Sequence, residues 1–225
     1  MAAAPNRRPP AILFDLDGTL IDTLVDITFA VNQVLAEFSF PPVGQQRMRA
    51  IIGEGLTTLL QRATGIHDAA VIATMVERYK PIYEGSMLQN TRLYNGVKEM
   101  LNAIADRNAS MCVLSNKPHL FTEPICAALL SPWPFVRCLG HRDGTPRKPD
   151  PTAAWQLASE MNADPSDVFF VGDSAIDIQT ARAAGMIPVA VTWGFRDVKE
   201  LQLAEPAYLL DIPMQLVSIV TAGSV

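Results

Sequence analysis

No apolar stretch in the 225 residues is long enough to span a bilayer. The apolar segment after Arg7 and Arg8 runs only from Ala11 to Phe14 before it meets Asp15, too short for a secretory signal. A cytoplasmic protein without a membrane partner is therefore expected. Positive charge is not in excess either: 18 Lys and Arg against 23 Asp and Glu give a net charge of -5. A dedicated nucleic-acid binder would carry a basic surface that displaces counterions, so no nucleic-acid partner is expected. Cysteine is scarce. Cys112, Cys126 and Cys138 are odd in number and form no Cys-x-x-Cys pair, and they read as reduced, structural residues. His67, His119 and His141 lack metal-ligand spacing, and only His119, two residues beyond Lys117, stands where it would approach a ligand. There is no Gly-x-x-x-x-Gly-Lys-Ser/Thr phosphate loop, and Gly53-Glu54-Gly55 lacks the third glycine and the preceding strand of a dinucleotide site. These absences leave a small-molecule ligand. An acidic chain can still bind an anion, which needs only local cations and a metal.

What is present is a globular composition, 49% hydrophobic and 18% charged, enough for one large or two small domains. Short apolar runs at Ala11 to Leu16, Met111 to Leu114, Val136 to Leu139, Val168 to Val171, Ile187 to Val191 and Ala207 to Leu210 read as buried strands. Helical spacing fills several of the gaps, at Gly96 to Asp106, Thr152 to Met161 and Ile176 to Ala184. Alternating strand and helix predicts an α/β fold with a Rossmann-like parallel sheet, whose ligands bind beyond the carboxyl ends of the strands. The segment 22–90 breaks the rhythm. Ile27, Val31, Val34, Leu35 and Phe38 make an amphipathic helix, Pro41-Pro42 turns the chain, and shorter helical pieces follow with no evident strand. It reads either as an all-helical cap over the strand ends or as helices covering one face of the sheet, and periodicity does not choose between them. The division expected is 1–21 with 91–225 as the core and 22–90 as the cap.

Four polar clusters fall at strand ends. Asp15 and Asp17 are two residues apart after the first run, so alternation along an extended strand would send both side chains to one face. A carboxylate that takes up a phosphoryl group needs a metal to neutralise charge and a second acid for the leaving oxygen, roles that suit Asp15 and Asp17. Gly18 allows a tight turn and offers backbone N–H to an anion. The same residues also suit a strand ending in an acidic turn. Ser115, Asn116 and Lys117 put a hydroxyl, an amide and an ammonium where donors to phosphate oxygens would stand, though Ser and Asn also cap helices. Lys148, held between Arg147 and Pro149-Asp150-Pro151, is a fixed charge suited to a transferring phosphoryl group, unless it is one of the many solvated lysines. Asp173 and Asp177 offer hard oxygen donors of the kind Mg²⁺ prefers, Asp173 completing a site with Asp15 and the Asp17 carbonyl, Asp177 orienting Lys148 or a metal-bound water. Helix capping is the alternative for both.

In their order, Asp15-Leu16-Asp17-Gly18-Thr19, Ser115-Asn116, Lys148 and Gly172-Asp173-Ser174-x-x-Asp177 resemble the four motifs of the haloacid dehalogenase superfamily. Gly53-Glu54-Gly55-Leu56, Ser115-Asn116-Lys117-Pro118 and Ala181-x-Ala183-Ala184-Gly185 with Trp193-Gly194 look like its phosphoglycolate phosphatase branch. The resemblance implies a nucleophile at Asp15, an acid and then base at Asp17, and Mg²⁺ held by Asp15, Asp17 and Asp173. It also implies phosphoryl contacts from Ser115, Asn116 and Lys148, and a cap loop, Gly53 to Gly55, that reads the organic part of the substrate. Ser115 stands where many relatives have Thr, and Pro-Asp-Pro follows Lys148 where Pro-His-Pro is frequent; neither removes a reactive group. The expected activity is hydrolysis of a small phosphorylated substrate, 2-phosphoglycolate first, by a monomer or homodimer. Sugar phosphates, amino-sugar phosphates and pyrophosphate are the alternative substrates, a sugar phosphomutase the alternative enzyme, and a non-catalytic binding module the alternative class. Arg47, Arg49, Arg62 and Lys117 are the candidate partners for a substrate carboxylate.

Overall fold

The computed structural model describes residues 9–222, so Arg7, Arg8 and the outer ends of segments 1–21 and 91–225 lie outside the described residues. The chain runs β1 (Ala11–Phe14), β2 (Ile21–Asp22), α1 (Leu24–Glu37), α2 (Gln45–Ile51), α3 (Leu56–Thr64), α4 (Ala69–Glu84) and β3 (Arg92–Leu93). It continues through α5 (Val97–Ala105), β4 (Ser110–Pro118), α6 (His119–Leu129), β5 (Phe135–His141), α7 (Thr152–Glu160) and β6 (Val168–Gly172). The last elements are α8 (Ala175–Ala184), β7 (Ile187–Val191), α9 (Val198–Leu203), β8 (Tyr208–Leu210) and α10 (Met214–Ala222).

Six strands form one parallel sheet in the order β5-β4-β1-β6-β7-β8. Its central strands carry continuous apolar runs, Ala11 to Phe14, Met111 to Leu114 and Val168 to Val171, because helices cover both faces. Ile12, Phe14, Met111, Val113, Phe169 and Val171 face α5, α6 and α10. Leu13, Cys112, Leu114, Val168 and Phe170 face α7 and α8. From β1 the chain works outward to β4 and β5, then crosses back to β6 and on to β7 and β8. The direction reverses between β1 and β6, which opens a crevice beyond their carboxyl ends.

Helices α1 to α4 lie between β2 and β3 and make their chief contacts with one another, α1 on α2 and α4, α3 on α2 and α4. Their buried side chains, among them Val31, Leu35, Leu60 and Met75, nevertheless belong to the same continuous apolar cluster as Ile12 and Phe14 on the sheet. The chain leaves for this helical unit and returns from it side by side: β2 and β3 pair antiparallel, Ile21 with Leu93 and Asp22 with Arg92. Buried Asp26, in the first turn of α1, fastens the return. Its carboxylate accepts from Asn90 N at 2.9 Å, Asn90 Nδ2 at 2.8 Å, Thr91 N at 2.8 Å and Thr91 Oγ1 at 2.8 Å. No helix among the described residues is long and apolar enough to cross a membrane.

Candidate active site

The crevice at the reversal point holds the polar residues singled out in the sequence. Asp15 is the first residue after β1, and its N–H donates to the Val171 carbonyl at 2.8 Å, which ties it to the end of β6. The chain then turns at once: Thr19, Leu20 and Ile21 all donate to the Leu16 carbonyl. Strand alternation therefore does not bring Asp15 and Asp17 together, because β1 ends at Phe14 and Asp17 lies inside this turn. The two carboxylates line one cavity but have separate partners.

Asp15 Oδ1 is 2.8 Å from Lys148 Nζ, which also donates to Asp177 Oδ1 at 2.7 Å. Asp177 is fully buried in the first turn of α8, and its other oxygen accepts from Ser174 Oγ at 2.6 Å and Ser174 N at 3.1 Å. That reach back to the start of the helix satisfies an otherwise orphan N–H and fixes the carboxylate that holds Lys148. Asp17 instead accepts from Thr23 Oγ1 at 2.7 Å and from Lys117 Nζ at 3.0 and 3.2 Å. Asp173, at the end of β6, accepts from Phe195 N through Oδ2 at 2.7 Å, while no protein donor among the described residues meets Oδ1. Gly18, at φ +86, and Gly194 pack directly on this carboxylate, and a Cβ at either position would overlap it. Trp193 Nε1 donates to the Thr19 carbonyl at 2.9 Å and holds the Asp15 to Leu20 turn against the segment after β7.

Ser115 Oγ accepts from Lys117 N at 3.3 Å, and no acceptor among the described residues takes its hydrogen. Asn116 departs from the reading as a phosphate donor: Oδ1 accepts from Lys148 N at 2.9 Å, and Nδ2 donates to the Lys148 and Gly53 carbonyls, both at 3.1 Å. The amide clamps the lysine loop and ties it to the loop between α2 and α3. Gly53 and Gly55 line the cavity. His119 is turned away, with Nδ1 accepting from Gly140 N at 3.2 Å and Nε2 meeting Arg142 at 2.8 Å. Arg47 and Arg62 also point elsewhere, Arg47 to the Arg62 carbonyl and Arg62 to Glu54.

Sequence reasoning missed the apolar and aromatic wall, Ile52, Leu59, Tyr79, Tyr83 and Phe121, together with Arg196. Tyr79 and Tyr83 are four apart on α4 and stack at 5.1 Å, a helical spacing that could have flagged them. Arg196 follows the apolar β7 by five residues, another strand-end position. It crosses to the helical unit, donating to the Arg49 carbonyl at 2.6 Å and to the Ile52 carbonyl. Arg49 answers with a hydrogen bond to the Gly194 carbonyl at 3.2 Å.

The electrostatics are those of buried acid with too little buried base. Burial raises Asp15 from 3.8 to about 7 against the pull of Lys148, with Asp177 and Asp17 adding repulsion. Burial, then Asp15 and Asp177, hold Asp173 well above the ordinary carboxylate range. Burial presses Lys148 down, but Asp15 and Asp177 more than reverse this and keep it an ammonium. Carboxylate oxygens of Asp15, Asp173 and Asp177 lie within 4.8 Å of one another. Hard oxygen donors, excess negative charge and an unengaged Asp173 oxygen fit a divalent cation such as Mg²⁺. Asp177 is already committed to Lys148 and Ser174, which leaves Asp15 and Asp173 as the carboxylates with capacity to spare.

A family model described as haloacid dehalogenase-like hydrolase matches residues 12–191. The chain is 32% identical over 222 residues to the phosphoglycolate phosphatase of Haemophilus influenzae, covering 95% of this chain and 99% of that protein. It is 33% identical over 204 residues to the phosphoglycolate phosphatase of Pectobacterium atrosepticum, covering 89% of this chain and 87% of that one. A crystal structure described as a predicted phosphoglycolate phosphatase from Haemophilus somnus superposes with a TM-score of 0.87 at 27% identity, over 96% of this chain and 99% of that one.

Proposed function

The chain belongs to the haloacid dehalogenase-like hydrolases and is a phosphoric monoester hydrolase, and from that premise we propose that it hydrolyses 2-phosphoglycolate to glycolate and phosphate through an aspartyl-phosphate on Asp15. The observation that carries this reading is the buried Asp15–Lys148–Asp177 chain beside Asp173 at the mouth of a cavity of about 60 Å³. The relatives described as phosphoglycolate phosphatases, 32% and 33% identical, support a compact ester over a sugar phosphate or a nucleotide.

An Asp15 oxygen attacks phosphorus as the bond from phosphorus to the leaving oxygen breaks. Asp17 gives its proton to that oxygen, and glycolate departs. Lys148 stabilises charge on the phosphoryl oxygens, and Asp177 holds Lys148 in place. The Ser115 hydroxyl and the Gly18 backbone supply further donors, while Asn116 keeps Lys148 and the Gly53 to Gly55 loop in register. Asp17 then takes a proton from water, which attacks phosphorus and frees Asp15. Asp15, Asp173 and the Asp17 carbonyl would hold Mg²⁺, which when bound would supply the charge neutralisation that lets a carboxylate approach a phosphate dianion. Residues 22–90 act as the cap that closes the cavity, and 1–21 with 91–225 as the core that carries the chemistry.

Asp15→Asn is expected to lower turnover of 2-phosphoglycolate by at least about a thousandfold with the circular-dichroism spectrum unchanged. Mg²⁺-dependent turnover within tenfold of wild type would remove Asp15 as nucleophile. Faster turnover of glucose 6-phosphate or pyrophosphate than of 2-phosphoglycolate by the wild-type enzyme would remove the substrate.

A further inference from the structure

The cavity wall divides by chemistry. Asp15, Asp17, Ser115 and Asp173 cluster at one end, and Ile27, Ile52, Leu56, Leu59, Tyr79 and Phe121 close the rest. Among the described residues only two cations line it, Lys117 and Arg196. The Arg196 guanidinium is already committed to the Arg49 and Ile52 carbonyls and lies 3.6 Å from Glu200. Lys117 is different. Its ammonium is buried, lies 4.8 Å from the centre of the Tyr83 ring, and gives its hydrogen bonds to one group, the Asp17 carboxylate. An ammonium carries three donors, so capacity remains. The hydroxyl of Tyr83 is buried with no hydrogen-bond partner among the described residues.

Asp17 protonates the leaving oxygen in the reading above, on which this inference rests. Whatever the leaving oxygen carries must then lie beside Asp17, and hence beside the cation bonded to Asp17. We propose that Lys117 reads a negative charge on the alcohol side of the ester, so that the substrate class is a small phosphomonoester with an anionic group one carbon from the ester oxygen. The apolar wall supports this: a carboxylate entering a space lined by isoleucine, leucine and tyrosine loses water and must be met by a buried donor. Lys117 thereby serves as a specificity residue as well as the partner of Asp17.

The test compares 2-phosphoglycolate with ethyl phosphate, which replaces the carboxylate by a methyl group. Lys117→Met is expected to lower kcat/KM for 2-phosphoglycolate relative to ethyl phosphate by roughly tenfold to a hundredfold, the scale of one charge-assisted contact. Lys117→Arg should keep much of the preference. Because Lys117 also touches Asp17, affinity is measured as well, by calorimetry in an Asp15→Asn background: adding Lys117→Met should weaken 2-phosphoglycolate by about that factor more than it weakens ethyl phosphate. Lys117→Gln, one atom shorter but still a hydrogen-bond donor without charge, gives the same comparison should the methionine variant not fold. Equal losses for both esters would show that Lys117 serves Asp17 alone, and an unchanged preference in every variant would overturn the assignment too. A wild-type enzyme that hydrolyses ethyl phosphate as fast as 2-phosphoglycolate overturns the substrate reading before any variant is made.

Discussion

At the scale of single residues, the site stores electrostatic tension. Asp15, Asp173 and Asp177 are buried together, and only Asp15 and Asp177 are paired with an ammonium, that of Lys148. With the folded value of Asp15 raised from 3.8 to about 7, the folded chain binds more protons than the unfolded chain between those values. Its contribution to stability is present in full below about pH 4 and is lost as pH rises through about 7; Asp173 shifts in the same direction. A bound divalent cation compensates the charge that appears on deprotonation. Mg²⁺ is therefore expected to raise the melting temperature more at pH 8 than at pH 5.5, measured by calorimetry against a chelated sample. An equal shift at both pH values would count against metal binding at this cluster.

At the scale of elements, the fold was readable wherever a strand or helix carried its own pattern. The apolar runs at Val168 and Ile187 match β6 and β7 almost to the residue, because a strand covered on both faces has no polar position to blur it. β2 and β3 were not readable, since two residues cannot show alternation. Asp26 was hidden for a related reason. It lies on the apolar side of α1 between Leu24 and Ile27, and nothing local announces that its partners, Asn90 and Thr91, stand 64 and 65 residues away. The candidate site follows the same division: Asp15 and Asp173 were legible from their strand ends and Lys148 from its flanking prolines, whereas Arg196 and the tyrosines of α4 depend on how the helical unit lies over the sheet. Asp26→Ala should leave four donors unmatched, two of them backbone N–H groups, and cost about 3 kcal/mol in urea unfolding. A cost below about 1 kcal/mol would mean that water replaces the carboxylate freely.

At the scale of the whole molecule, the helical unit and the sheet share one apolar cluster although the helices contact chiefly each other. Arg196 and Arg49 stitch the two parts again at the Asp173 end through reciprocal hydrogen bonds to backbone carbonyls. Parts joined by a common core lose stability together. Thermal unfolding is expected to be a single transition with equal calorimetric and van't Hoff enthalpies, followed in parallel by near-ultraviolet and far-ultraviolet circular dichroism. Two separated transitions would show that the helical unit melts independently of the sheet.

The paired two-residue strands at the base of that unit have a consequence for how such enzymes diversify. Ile21 faces Leu93 and Asp22 faces Arg92, so the polypeptide departs and comes back through adjacent points. A segment attached at neighbouring ends can be lengthened, shortened or traded for another without stretching the sheet, provided the newcomer brings an oily underside to replace the one it removes. Recombination at this junction would exchange the helical unit and leave Asp15 and Asp173 where they are.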